Sequence, residues 1–114
     1  MKRVRLLKDG ASLLASRPEE QLKHLEDIGA CETLDELALE YSDAASAAED
    51  MVRRGELTIP QYKAAKALDE YLLTMSGRNN QTLWEIRSLF AAPEWQEVRR
   101  LAVRLIEALS TSLI

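Results

Sequence analysis

The chain has 114 residues, 46% of them hydrophobic and 30% charged, which is enough for one small globular domain and excludes a disordered chain. Fifteen Lys and Arg against nineteen Asp and Glu give a net charge of −4, which excludes a general affinity of the whole molecule for nucleic acid or an anionic membrane. Four Gly and three Pro are too few for a turn-rich β fold, and charges interrupt every apolar run well before the roughly 18 residues of a membrane helix.

Residues 1–17 ("MKRVRLLKDGASLLASR") read as a basic N-terminal helix or arm. Val4, Leu7, Ala11 and Leu14 recur at helical spacing, but Gly10 weakens the segment enough to divide it in two. The basic start is not expected to be a secretory signal, because Lys8, Asp9 and Gly10 split its apolar part. Pro18 suits the first turn of a second helix, with Glu19 and Glu20 complementing the dipole, Leu22, Leu25 and Ile28 as its stripe and Gly29 as its stop. Thr33 and Glu36 in "TLDE" form a capping box for a third helix, predicted to run from Leu34 to Arg54. Leu34, Leu37, Ala38, Tyr41, Ala45, Ala48 and Val52 face its core, and Gly55 ends it.

A second box, Thr58 with Gln61 in "TIPQ", opens the next helix, whose inner face is Tyr62, Ala65, Leu68, Leu72 and Met75. Gly77 closes it, "RNNQT" is a loop, and Asn80 or Thr82 caps a short apolar helix carrying Leu83, Trp84, Ile86, Leu89 and Phe90. Pro93 starts the last helix, with Val98, Leu101, Ala102, Leu105 and Leu109 as its stripe. No segment has the period-two pattern of a strand. The expectation is an all-α fold: residues 1–114 as a single-domain helical bundle of about five or six helices with short loops.

Little in this pattern suits catalysis. His24, the one histidine, falls on the polar side of its helix and reads as a bystander, and Cys31 reads as a small apolar filler. A lone cysteine forms no intrachain disulfide and suits a reducing cytoplasm. Glu32, Glu36 and Glu40 share one helix face, but that face points away from the core and no Glu-x-x-His motif accompanies it, so no metal and no cofactor are expected. The first 23 residues hold six bases against three acids, and Arg99, Arg100 and Arg104 cluster on the last helix. Glu94, Glu97 and Glu107 interleave with those arginines, so direct nucleic-acid binding is not expected. Trp84 and Trp95 read as core residues.

The outstanding feature is residues 26–50, which hold nine acidic residues and neither Lys nor Arg. A solvated helix face ordinarily mixes signs, because Glu and Lys at i, i+4 stabilise each other. Here Glu32/Glu36 and Glu36/Glu40 repel instead, and the bases are displaced to both ends of the chain. A field of one sign speeds encounter with a basic partner and sharpens its selection. Glu32, Asp35, Glu36, Glu40, Asp43, Glu49 and Asp50 are therefore the expected partner-binding residues.

The order of landmarks resembles a known group. "TLDELALEY", "GELT", "LDEYLLTMSG", an Asn-rich loop with "LW", and "EWQEVRRLA" look like small helical immunity proteins encoded beside polymorphic and contact-dependent growth inhibition toxins of bacteria. The resemblance spans Leu34 to Leu105 and rests on packing and capping motifs. It implies a cytoplasmic antitoxin, not an enzyme, that binds one cognate toxin domain. With the charge pattern it suggests a nuclease toxin, an RNase first, whose basic substrate groove the protein occludes. The alternative is a regulatory or adaptor helical module, either DNA-binding or a DNA mimic.

Overall fold

The computed structural model describes residues 2–29 and 34–110. The Thr33 capping box, Cys31 and Glu32 lie outside the described residues. The fold is an all-α bundle. Five helices have ten residues or more: α1 (Lys2–Ala15), α2 (Pro18–Asp27), α3 (Asp35–Ala45), α5 (Ile59–Thr74) and α7 (Pro93–Ser110). Two six-residue helices, α4 (Ala48–Arg53) and α6 (Ile86–Ala91), and a 3₁₀ helix (Arg78–Trp84) complete the described chain.

Four of the long helices form a closed ring. α1 packs on α3, α3 on α5, α5 on α7, and α7 back on α1. Leu7, Ala11 and Leu14 of α1, Leu37 and Tyr41 of α3, Ala65 and Leu68 of α5, and Val98, Ala102 and Leu105 of α7 are completely buried inside it. Each side chain comes from its helix's i, i+3, i+4 stripe, so the apolar phase of the sequence sets which way each helix faces.

The basic N-terminal segment is a helix rather than an arm, and Gly10 does not divide it. A Cβ at Gly10 would lie 3.1 Å from the Tyr41 Cα, so the missing side chain lets α1 and α3 approach closely. The Tyr41 hydroxyl then crosses the ring and donates to the Ala65 carbonyl of α5 at 2.6 Å. Burial holds that phenol protonated.

The long third helix expected from the sequence is two helices. The chain turns at Ser46 and Ala47, where the Ser46 hydroxyl donates to the Asp43 carbonyl at 2.7 Å, competing with continued helix. α4 stops as predicted at Gly55, whose φ of +75° permits the paired terminal bonds Glu56 N–H to Met51 O and Gly55 N–H to Val52 O. The Thr58–Gln61 box is formed, and the buried Gln61 amide also donates to the Ala108 carbonyl of α7.

The segment after α5 also departs from the reading. Asn80 donates to the Thr74 and Ser76 carbonyls, so it caps the end of α5 instead of starting the next helix. "RNNQT" lies within the 3₁₀ helix, and an extended Glu85 separates this from α6. Trp95 is buried, Trp84 half-buried; their rings meet edge to face at 5.4 Å and their indole N–H groups donate to the Leu83 and Met75 carbonyls. Ile28 and Phe90, expected inside, are about half exposed. Each sits at or near the end of a helix that lies outside the ring.

Candidate partner-binding surface

The predicted acidic residues divide between two helices. Asp35, Glu36, Glu40 and Asp43 lie on α3, and Glu49 and Asp50 on α4, past the turn. With Leu37 and Tyr41 turned into the ring, the 3.6-residue period directs the α3 carboxylates outward, and Asp35, Glu40 and Asp43 are exposed while Glu36 is half-buried. Their environments differ. Glu36, Asp43 and Glu49 have no ion-pair partner among the described residues. One Glu40 carboxylate oxygen lies 3.2 Å from the His24 Nε2 of α2, which makes His24 a tie between α2 and α3.

Asp50 is engaged inside the chain. Its carboxylate meets Arg3 at 3.0 Å, Arg54 at 2.9 Å and Arg53 at 3.5 Å. Arg3 also reaches Glu56 at 2.7 Å, so the cluster fastens the start of α1 to α4 and the turn after it. The Arg3 hydrogen bond, helped by Arg54, holds the Asp50 carboxyl below its ordinary value, and the bonds to Glu56 and Asp50 raise Arg3. Sequence reasoning placed Asp50 with the outward acids because nothing local reveals an arginine 47 positions away.

Arg99 and Arg100, two of the three arginines of the last helix, are also engaged within the chain. Arg99 donates to the Leu89 carbonyl of α6 at 2.6 Å and to Gln21 of α2 at 3.3 Å, and burial lowers its pKa. Gln21 is buried and donates to the Leu13 and Leu14 carbonyls, closing the end of α1. Arg100 is paired with Glu97.

Two depressions flank α3. One, of about 610 Å³, lies between α1, α2 and α3 and is lined in part by Leu6, Asp9, His24, Glu40 and Asp43. The other, of about 410 Å³, lies between α3, α5 and the 3₁₀ helix, with Leu39, Leu73 and Trp84 on its walls. Leu39 and Leu73 were absent from the sequence-derived surface. Their signal was nevertheless present: each is a large apolar residue out of phase with its own helix's inward stripe. Among the described residues no group of three or more His, Cys, Asp or Glu is placed to hold a metal ion, and no helix is long and apolar enough to cross a membrane.

Compared with protein-family profiles, with curated proteins and with solved structures, the chain has no match in any of the three.

Proposed function

We propose that the protein is a cytoplasmic immunity protein: it binds and neutralises a cognate nuclease toxin domain, an RNase first, by covering its basic substrate groove. The observation that carries this reading is the outward face of α3. Glu36, Glu40 and Asp43 sit on successive turns of one helix that has neither Lys nor Arg, and Glu36 and Asp43 have no ion-pair partner among the described residues. A nuclease groove is lined with cations placed to meet phosphates. Carboxylates on a rigid helix meet the same cations, and the like-charge repulsion within α3 is relieved when they do. The landmark resemblance from Leu34 to Leu105 supports the same class of protein.

The test is growth protection. The product of the neighbouring open reading frame is expressed with this protein, alone and as Glu36→Lys/Glu40→Lys/Asp43→Lys, and nuclease activity is assayed with each purified complex. The parent is expected to protect, and the triple variant to keep its helical circular dichroism and lose protection. Association should also slow as salt rises, because charge steering is screened. Full protection by the triple variant rules out the acidic face; no toxicity from the neighbouring product rules out the immunity reading.

A further inference from the structure

The outer face of α3 is not only acidic. Leu39 leaves 51% of its surface in solvent and Leu73 of α5 leaves 65%, on either side of the trough between the two helices. Ala38, Leu72 and Trp84 also line that trough, so it is an apolar groove with two exposed leucine walls. The charge along both walls has one sign. On α3, Asp35 lines the groove four positions before Leu39, whereas Asp43 lines the depression on the other side of that helix; on α5, Asp69, which meets the lining Ser42, and Glu70 stand four and three before Leu73. Neither α3 nor α5 from Asp69 to Thr74 contains a Lys or Arg. One end of the groove is fixed by the Ser42 hydroxyl, which donates to Asp69 across it at 2.9 Å.

We propose that this groove is the docking site of one basic amphipathic helix of a protein partner. Apolar side chains of that helix at i, i+3 or i+4, and i+7 lie against Leu39, Leu73 and the exposed edge of Trp84, and Lys or Arg on its flanks meet the carboxylates of both walls. The acidic walls repel DNA, RNA and anionic lipid, and a second copy of a chain with net charge −4 is a poor counterpart. The proposal rests on the partner-binding reading and adds an apolar anchor to it: the leucines supply the desolvated centre and the acids the rim.

Two synthetic helical peptides test it, both with Leu at i, i+3, i+4 and i+7 and with either Lys or Glu at the remaining positions. Each is titrated into the full chain while tryptophan emission is followed, since Trp84 lines the groove and Trp95 is buried. The Lys peptide is expected to saturate and the Glu peptide not to bind. Leu39→Asp/Leu73→Asp should weaken the Lys peptide at least tenfold, whereas Leu6→Asp, at an exposed leucine of α1, should change it less than twofold. Should the double Asp variant melt early, Leu39→Ser/Leu73→Ser replaces it. No saturable binding of the Lys peptide, or binding that the groove variants leave within twofold, overturns the proposal. So does a dimer of the parent chain in sedimentation that the groove variants dissolve, which would assign the groove to a second copy. Growth protection separates this result from the immunity reading. If charge reversal on α3 abolishes protection and the groove variants do not, the groove fails and the immunity reading stands. If the groove variants lose the peptide but the neighbouring product is not toxic or the parent gives no protection, the immunity reading fails and the groove stands.

Discussion

Asp50 contacts Arg3, Arg53 and Arg54 at once, and its behaviour with pH follows from that. Its carboxyl is depressed in the folded chain, so the unfolded chain binds the proton more readily. The stability it contributes is therefore complete above the unfolded value, near 4, and is lost as pH falls through the depressed folded value. We expect Asp50→Asn to melt below the parent at pH 7 and the gap to narrow at pH 3; thermal melts at both pH values check this, and a gap of constant size would show that the cluster contributes no pH-linked stability. Such a residue also marks a limit of sequence reading. The nine acids of residues 26–50 were countable, but which carboxylate was already neutralised depended on Arg3, brought there by the ring and not by any local pattern. Leu39 and Leu73 show the converse, since their out-of-phase positions were visible and only their meeting across one groove was not.

Helix boundaries were legible at a left-handed glycine and at a capping box. Gly55 and the Thr58–Gln61 box act where the sequence put them, because their geometry involves residues three to five apart. The break at Ser46 and the 3₁₀ helix were not legible. The first turns on one hydroxyl choosing a backbone acceptor, and the second on tryptophan N–H groups reaching carbonyls nine and twelve residues away. Gly10 was read for its cost to one helix, whereas its value lies between two. Alanine there gains about 0.5–1 kcal/mol of helix propensity but crowds the Tyr41 backbone, and such overpacking costs about 1–3 kcal/mol. We expect Gly10→Ala to lose about 1 kcal/mol net and Gly10→Val about 3 kcal/mol in urea denaturation. An alanine variant more stable than the parent would mean that α1 and α3 separate at little cost.

For the whole molecule, the apolar periodicity of the sequence carried the class of fold, and the separation of charge carried the choice of surface. Order around the ring was beyond it, since amphipathic helices of similar stripe pack in more than one arrangement. In the arrangement adopted, α1 and α7 are direct neighbours although about 80 residues lie between them, a loop closure that costs entropy before it gains any contact. A fragment of residues 1–92 lacks α7 and leaves the inner stripe of α1 half covered. We expect its circular dichroism to show largely unfolded chain with no cooperative melt, and a sharp transition would mean that α1, α3 and α5 suffice.

That adjacency sets a schedule for the growing polypeptide. While α7 is still inside the ribosome, Leu7, Ala11 and Leu14 have emerged long before, with one side of their eventual enclosure absent. The bundle therefore closes only once α7 has emerged, and until then the nascent chain carries an uncovered leucine stripe that chaperones can hold and other nascent chains can capture.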